Sequence, residues 1–270
     1  MNVAPSEIER REHELWHVLA SVDDPELDEP VTTMGFVERA FVADDGRVTV
    51  DFRLPTYWCS PNFAFLMLDD LRRALGRLSW QPAFDVVLHD HMFAAEVNAG
   101  LAAGRSFDEI FGELAGDQGL DDLRATFAAK AFKRRQEAVL RGLLAEGFAE
   151  ARVVAMTIAT LEAVRFEDAD VARQKPRYLA ALRARRGGLK ASEPAFPMWD
   201  GTALGIDTLA DYLSELRGLR INMEFNGALC RGLKQSRYKE VRQVDGEPTL
   251  VDFILDRVPE ARAGAGSGPA

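Results

Sequence analysis

Cys59 stands where a strand pattern gives way to a helix pattern, which makes it the first residue to weigh for chemistry. Ahead of it, Val48, Val50, Phe52 and Leu54 alternate with Arg47, Thr49, Asp51 and Arg53, the period-two signature of a strand with one buried face, and Pro55 ends the ladder. After it, Ser60 and Pro61 offer an N-cap and a proline at the first helical position, and Ala64, Leu68, Leu71, Leu75 and Leu78 recur on one helical face. A helix therefore starts beside the sulfur. Its unpaired amides and the positive end of its dipole suit a metal ligand or a nucleophile, with a buried packing cysteine as the plainer alternative.

Other residues could join it. Asp24 and Glu26, two apart in an acidic loop, could coordinate a metal or orient Cys59, or do no more than cap and shape a turn. His89 and His91 share one face if the strand before them continues, a spacing found in metal sites; either could instead act as a base for Cys59, or mark a solvated strand end. Cys230, between Leu229 and Arg231, is the only other cysteine in the chain. Tyr57, Trp58 and Phe63 surround Cys59 in sequence, as packing or as a docking surface.

The elements that must position these residues follow from periodicity and breakers. Residues 6–20 read as a helix with a stripe of Ile8, Leu15, Trp16 and Leu19, and SVDDPELDEPVTTMG follows as a long loop. Residues 36–42 form a strand, Asp45-Gly46 a hairpin turn, and residues 47–54 the returning antiparallel strand; after the Pro61 helix, residues 84–88 form a third strand. Helix, strand, strand, helix, strand makes a small α/β sandwich over residues 1–92. Beyond it, residues 94–103, 106–114, 120–145 and 152–164 have helical spacing, with Ser106 and Glu109 as a capping box. Residues 209–216 read as a helix and 219–225 as a strand. The expected class is α+β, with a mainly helical domain over 93–259 and a disordered tail over 260–270.

Composition narrows the function. With 270 residues and 47% hydrophobic content the chain can bury a sizeable core. Acidic residues outnumber basic ones 43 to 33, a net charge of -10, so nucleic acid and anionic membrane are not expected partners. Two distant cysteines give no disulfide framework, and a charged N-terminus without a long apolar run points to the cytoplasm. One stretch runs against the net charge: Arg173, Lys175, Arg177, Arg183, Arg185, Arg186 and Lys190 have no acidic residue among them. It is either a solvated helix face or, with Arg183, Arg185 and Arg186 at its centre, a surface for an anionic protein partner.

Asp24-Pro25-Glu26 followed by Pro30, Met34-Gly35-Phe36-Val37, and Thr56-x-x-Cys59 followed by Pro61 occur in the order and spacing of three motifs. These are the DPE loop, the LGLV strand start and the Thr-x-x-Cys-Pro turn of the iron-sulfur cluster assembly domain family, which includes phenylacetate-oxygenase maturation proteins. The N-terminal third resembles that family. In two places it departs: Ser60 separates the cysteine from the proline, and His89-Asp90-His91 replaces a proline-tryptophan domain end. The resemblance implies a small α/β fold and iron or an iron-sulfur cluster as transient cargo. It also implies Cys59 as the central ligand, with Thr56 in its turn, and an apo-oxygenase as protein client, in the context of binuclear-iron monooxygenases. A cluster takes about four thiolates. With Cys59 and Cys230 alone, cargo would be shared across a homodimer, completed by a partner, or held with oxygen and nitrogen ligands such as Asp24, Glu26, His89 and His91. The leading reading is an assembly factor. A cysteine-nucleophile enzyme using Cys59 with His89 or His91, and a metal-free scaffold, are the alternatives.

Overall fold

The alternation along residues 47–54 is the middle strand of a three-stranded sheet. The computed structural model describes residues 5–112, 119–238, 243–244 and 247–248. Helix α1 (Pro5–Leu19) leads into a two-residue hairpin, β1 (Asp23–Asp24) and β2 (Glu29–Pro30), then β3 (Val37–Val42), β4 (Val48–Arg53), α2 (Pro61–Leu75) and β5 (Phe84–His89). The strand order is β3-β4-β5, with β4 antiparallel to β3 and parallel to β5. A parallel neighbour requires a crossover, and α2 supplies it. Val48, Val50 and Phe52 of β4 are fully buried, in one core with Leu15 and Leu19 of α1 and Leu68 and Leu71 of α2. The other face of the sheet is open and laced with ion pairs: Arg39–Asp51 at 2.7 Å, Arg53–Glu38 at 2.7 Å and Arg47–Asp85 at 2.6 Å. One buried and one solvated face is what the alternation requires. The long loop after α1 contains a short hairpin, in which Asp23 pairs with Pro30 and Asp24 with Glu29.

The remainder is helical: α3 (Ala94–Ala102), α4 (Phe107–Phe111), α5 (Leu120–Ala145), α6 (Glu150–Val154), α7 (Ile158–Ala163), α8 (Ala169–Arg186) and α9 (Ile206–Tyr238), then the hairpin β6 (Gln243–Val244) and β7 (Glu247–Pro248). The α+β class is as expected. Both bonds of the Ser106–Glu109 capping box are made. Val97, Leu101, Phe107 and Phe111, from α3 and α4, join the core under the sheet, while α5 to α9 enclose a second core around Phe132, Tyr178, Phe196 and Leu216. Gln136 is fully buried there and satisfied, donating to the Pro197 carbonyl and accepting from the Tyr212 hydroxyl.

Two expectations are corrected. The helix expected over 152–164 is split between α6 and α7, because the Thr157 hydroxyl caps a new helix start, accepting from the Thr160 amide at 3.3 Å. The strand expected over 219–225 lies inside the 33-residue α9. Alternating Ile221, Met223 and Phe225 imitates a strand, but Leu209, Tyr212, Leu216, Met223 and Gly227 are buried at helical spacing, and that longer period wins. Consequently α9 begins in the second core and ends against the first. The expected 260–270 tail lies outside the described residues.

Candidate functional site

The turn holding Cys59 is fixed from two sides. The Thr56 Oγ1 lies 3.0 Å from the Cys59 Sγ, and Pro61 opens α2 while the Ser60 hydroxyl makes no cap hydrogen bond. From the far side, the His91 Nε2 donates to the Cys59 carbonyl at 2.7 Å and the Met92 amide donates to the Tyr57 carbonyl at 2.9 Å. The His91 Nδ1 accepts the Phe93 amide at 3.2 Å, which puts the ring proton on Nε2. Burial lowers the His91 pKa, against the opposing effect of the Cys59 carbonyl, so the neutral ring is the favoured form. With both nitrogens occupied, His91 holds the turn and has no lone pair for a metal or for the Cys59 proton.

His89 is elsewhere. β5 ends at His89 and Asp90 turns the chain at a φ of 50°, so the two histidines do not share a face. On the open sheet face, the His89 ring pairs with the Asp51 carboxylate at 2.8 Å. Bonds from His89 and Arg39 hold the Asp51 pKa low despite the cost of burial.

The acidic loop is both folded and pinned. Asp24 is buried, and its Oδ1 accepts the amides of Glu26 at 2.9 Å and Leu27 at 3.0 Å. Burial pushes its pKa up to about 6 even against those two amides. Asp24 therefore shapes the turn, and Glu26 stays half-buried beside it. Two arginines of the helical half clamp the same loop: Arg135 bonds Asp28 at 2.5 Å, and Arg177 bonds Asp23 at 2.5 Å and Asp28 at 3.0 Å. The Asp28 side chain is only 2% exposed, so the carboxylate at the centre of this network is shielded from solvent while Asp23 and the two arginines are partly exposed.

The end of α9 lies across the same region. The residue at 35 needs a left-handed backbone, φ 70°, which glycine adopts without strain, and the Lys234 side chain of α9 passes at ordinary contact distance from it. Arg231 bonds Glu29 at 2.7 Å, the Arg237 guanidinium donates to the Asp90 carbonyl at 2.6 Å, and the Tyr238 hydroxyl donates to the Leu54 carbonyl at 3.2 Å. Cys230 and Cys59 are both half-buried against the core under the sheet. Burial pushes the Cys230 thiol up to about 11, helped by Asp24, Cys59 and Glu26 and opposed by Arg231. Cys59, Cys230, Asp24 and Glu26 thus share one electrostatic neighbourhood. Among the described residues, no three His, Cys, Asp or Glu side chains stand close enough together to hold a metal ion.

The basic stretch is largely engaged. Arg173 pairs with Asp170, Lys175 donates to the Leu161, Glu162 and Val164 carbonyls at the end of α7, and Arg177 belongs to the loop clamp. In the last turn of α8, Arg183 lies 4.0 Å from Glu162, Arg185 stacks over Trp199 at 3.9 Å and Arg186 bonds Glu193 at 3.3 Å.

The comparisons meet this geometry at the Cys59 turn. Residues 12–83 match the family model described as iron-sulfur cluster assembly protein. This assembly domain takes in the pinned loop, the β3–β4 hairpin, Thr56, Cys59 and α2, and stops just short of β5. A general role in iron-sulfur cluster assembly follows. His91, the Arg135–Arg177 clamp and Cys230 are supplied from outside the matched region. No curated protein and no solved structure matches the chain. Among the described residues no helix is long and apolar enough to cross a membrane.

Arg135, Arg231 and Arg237 carry no motif in sequence. The sole signal for Arg231 and Arg237 is their helical spacing with Gly227 and Lys234, legible only once α9 is read as one helix.

Proposed function

We propose that this chain is a cytoplasmic maturation factor that carries iron or an iron-sulfur cluster to an apo-oxygenase, such as a binuclear-iron monooxygenase, with Cys59 as the ligand through which the cargo is exchanged. The observation that carries this reading is the Cys59 turn: a half-buried sulfur 3.0 Å from the Thr56 hydroxyl, in a backbone held by His91, within the assembly domain. A carrier ligand must be rigid enough to select its cargo and accessible enough to surrender it. Tyr57 and Trp58, the latter 73% exposed, and Met92 stand beside it as an apolar rim of the kind protein partners cover, whereas Phe63 packs on Phe127. A cluster exceeds what the pre-placed donors among the described residues can hold, so in this reading it is cargo completed by the client or by a second copy. The residues 93–259 act in this reading as a clamp on the acidic loop and an arm toward the client, with Arg183 at the cationic end of α8 as a steering charge.

The nucleophile reading is disfavoured by His91, whose two nitrogens are committed to Cys59 O and Phe93 N, and by His89, which is paired with Asp51 on the open sheet face. The test is iron and acid-labile sulfide in protein expressed and purified without oxygen, for wild type and Cys59→Ala. Iron retained by the wild type and lost from the variant is expected; equal content in the two contradicts the reading.

A further inference from the structure

We propose that Cys59 and Cys230 together form a two-thiolate seat for a soft divalent cation, at the seam where α9 lies over the Cys59 turn. The inference rests on the assembly reading above, in which the cation is ferrous iron as cargo, and it extends the site beyond the matched family region to a residue of the helical half.

Helix geometry places the second thiol. Residues 227, 231, 234 and 238 all meet the assembly domain: a side chain at Gly227 would lie 3.4 Å from Glu29 Oε1, Arg231 bonds Glu29, Lys234 underlies Gly35 and Tyr238 reaches the Leu54 carbonyl. Cys230 is three residues past Gly227 and four before Lys234, and so projects from that same face. Both sulfurs are half-buried on one core, and α9 is held in register by the Arg231–Glu29 pair and the Arg237 bond to the Asp90 carbonyl. Asp24 and Glu26 add negative potential, which a divalent cation would neutralise.

Thiolates are the soft donors that select iron or zinc over magnesium or calcium. Each thiol must lose its proton to solvent as its bond to the metal forms. Two sulfurs leave the remaining positions open to water or to donors of the client. Such a seat captures a cation without the closed cage of a structural site, and it explains how a domain with one motif cysteine can hold cargo at all.

The test is an anaerobic titration of the full chain with Co²⁺, read by sulfur-to-cobalt charge-transfer absorption. Wild type should show the band, Cys230→Ser and Cys59→Ser should each keep about half its intensity with roughly tenfold weaker binding, and the double variant should show none. A Cys230→Ser band identical to wild type, with loss in Cys59→Ser, overturns the pair and leaves the single-cysteine assembly reading standing. A band unchanged in both single variants overturns the seat and removes metal ligation by Cys59 as well. Thermal melts control for folding. Should Cys230→Ser unfold, a short bifunctional thiol reagent on the wild type decides: an intramolecular Cys59–Cys230 bridge seen by peptide mass supports the seat, and its absence refutes it.

Discussion

Asp24→Asn is the perturbation with the clearest expected magnitude. The Asp24 Oδ1 does nothing in the turn that an amide oxygen would not do, accepting from Glu26 N and Leu27 N, yet its buried carboxyl has a pKa raised from 3.8 to about 6. A raised folded-state pKa means that the native protein holds the proton more tightly than the unfolded chain. Its stabilising effect is complete below 3.8 and is lost as pH rises through about 6. At neutral pH the buried carboxylate costs about 3 kcal/mol, from a shift of roughly two units at ~1.4 kcal/mol each. The amide avoids that cost. Urea unfolding of the two proteins from about pH 4 to about pH 7 should show Asp24→Asn more stable at the upper end, with a gap that widens by about 2 kcal/mol across the window. A gap independent of pH would refute the reasoning. A carboxylate kept at such a cost should be kept for function, so the stabilised variant should also bind cation more weakly.

Arg135→Ala removes the main partner of an almost fully buried Asp28 and should cost about 3 kcal/mol in urea unfolding; a loss under ~0.5 kcal/mol would mean that Arg177 alone satisfies the loop. His91→Ala should free the Cys59 carbonyl and change the alkylation rate of Cys59, His91→Gln should restore it through its amide donor, and His89→Ala should leave it unchanged. Burial lowers the His91 pKa below 6.5, so its contribution is present above 6.5 and lost as pH falls through the folded value, opposite in sign to that of Asp24; the fall of stability with rising pH that Asp24 imposes should therefore be steeper in His91→Gln than in the wild type. Arg183→Glu should slow association with an apo-client at low salt more than at high salt, with little change in melting, whereas Arg185→Glu should also lower stability by losing Trp199. Equal slowing by Arg183→Glu at both salts would remove the α8 terminus as a steering surface.

What the sequence made legible was local. The β4 alternation, the Pro61 helix start, the hairpin at Asp45-Gly46 and the Ser106 capping box depend on neighbours within a few residues, and all are in the fold. The Cys59 turn was legible for the same reason. What failed were cases in which a distant partner decides. His91 reads as a ligand because its true partner, the Cys59 carbonyl, is a backbone group that no motif marks. Arg177 and Arg186 read as unpaired because Asp23, Asp28 and Glu193 come from other elements. Cys230 looked isolated because its surroundings depend on α9 running unbroken from the second core to the first, and seven residues of apparent strand pattern concealed that helix.

The central claim is that Cys59 exchanges the cargo, and cluster transfer tests it most directly. The full chain, reconstituted without oxygen with iron and sulfide, is mixed with an apo-acceptor protein whose own absorbance reports cluster arrival, for wild type and Cys59→Ala at equal fold stability. The account predicts transfer by the wild type and background rates for the variant. Wild-type rates from Cys59→Ala would contradict it.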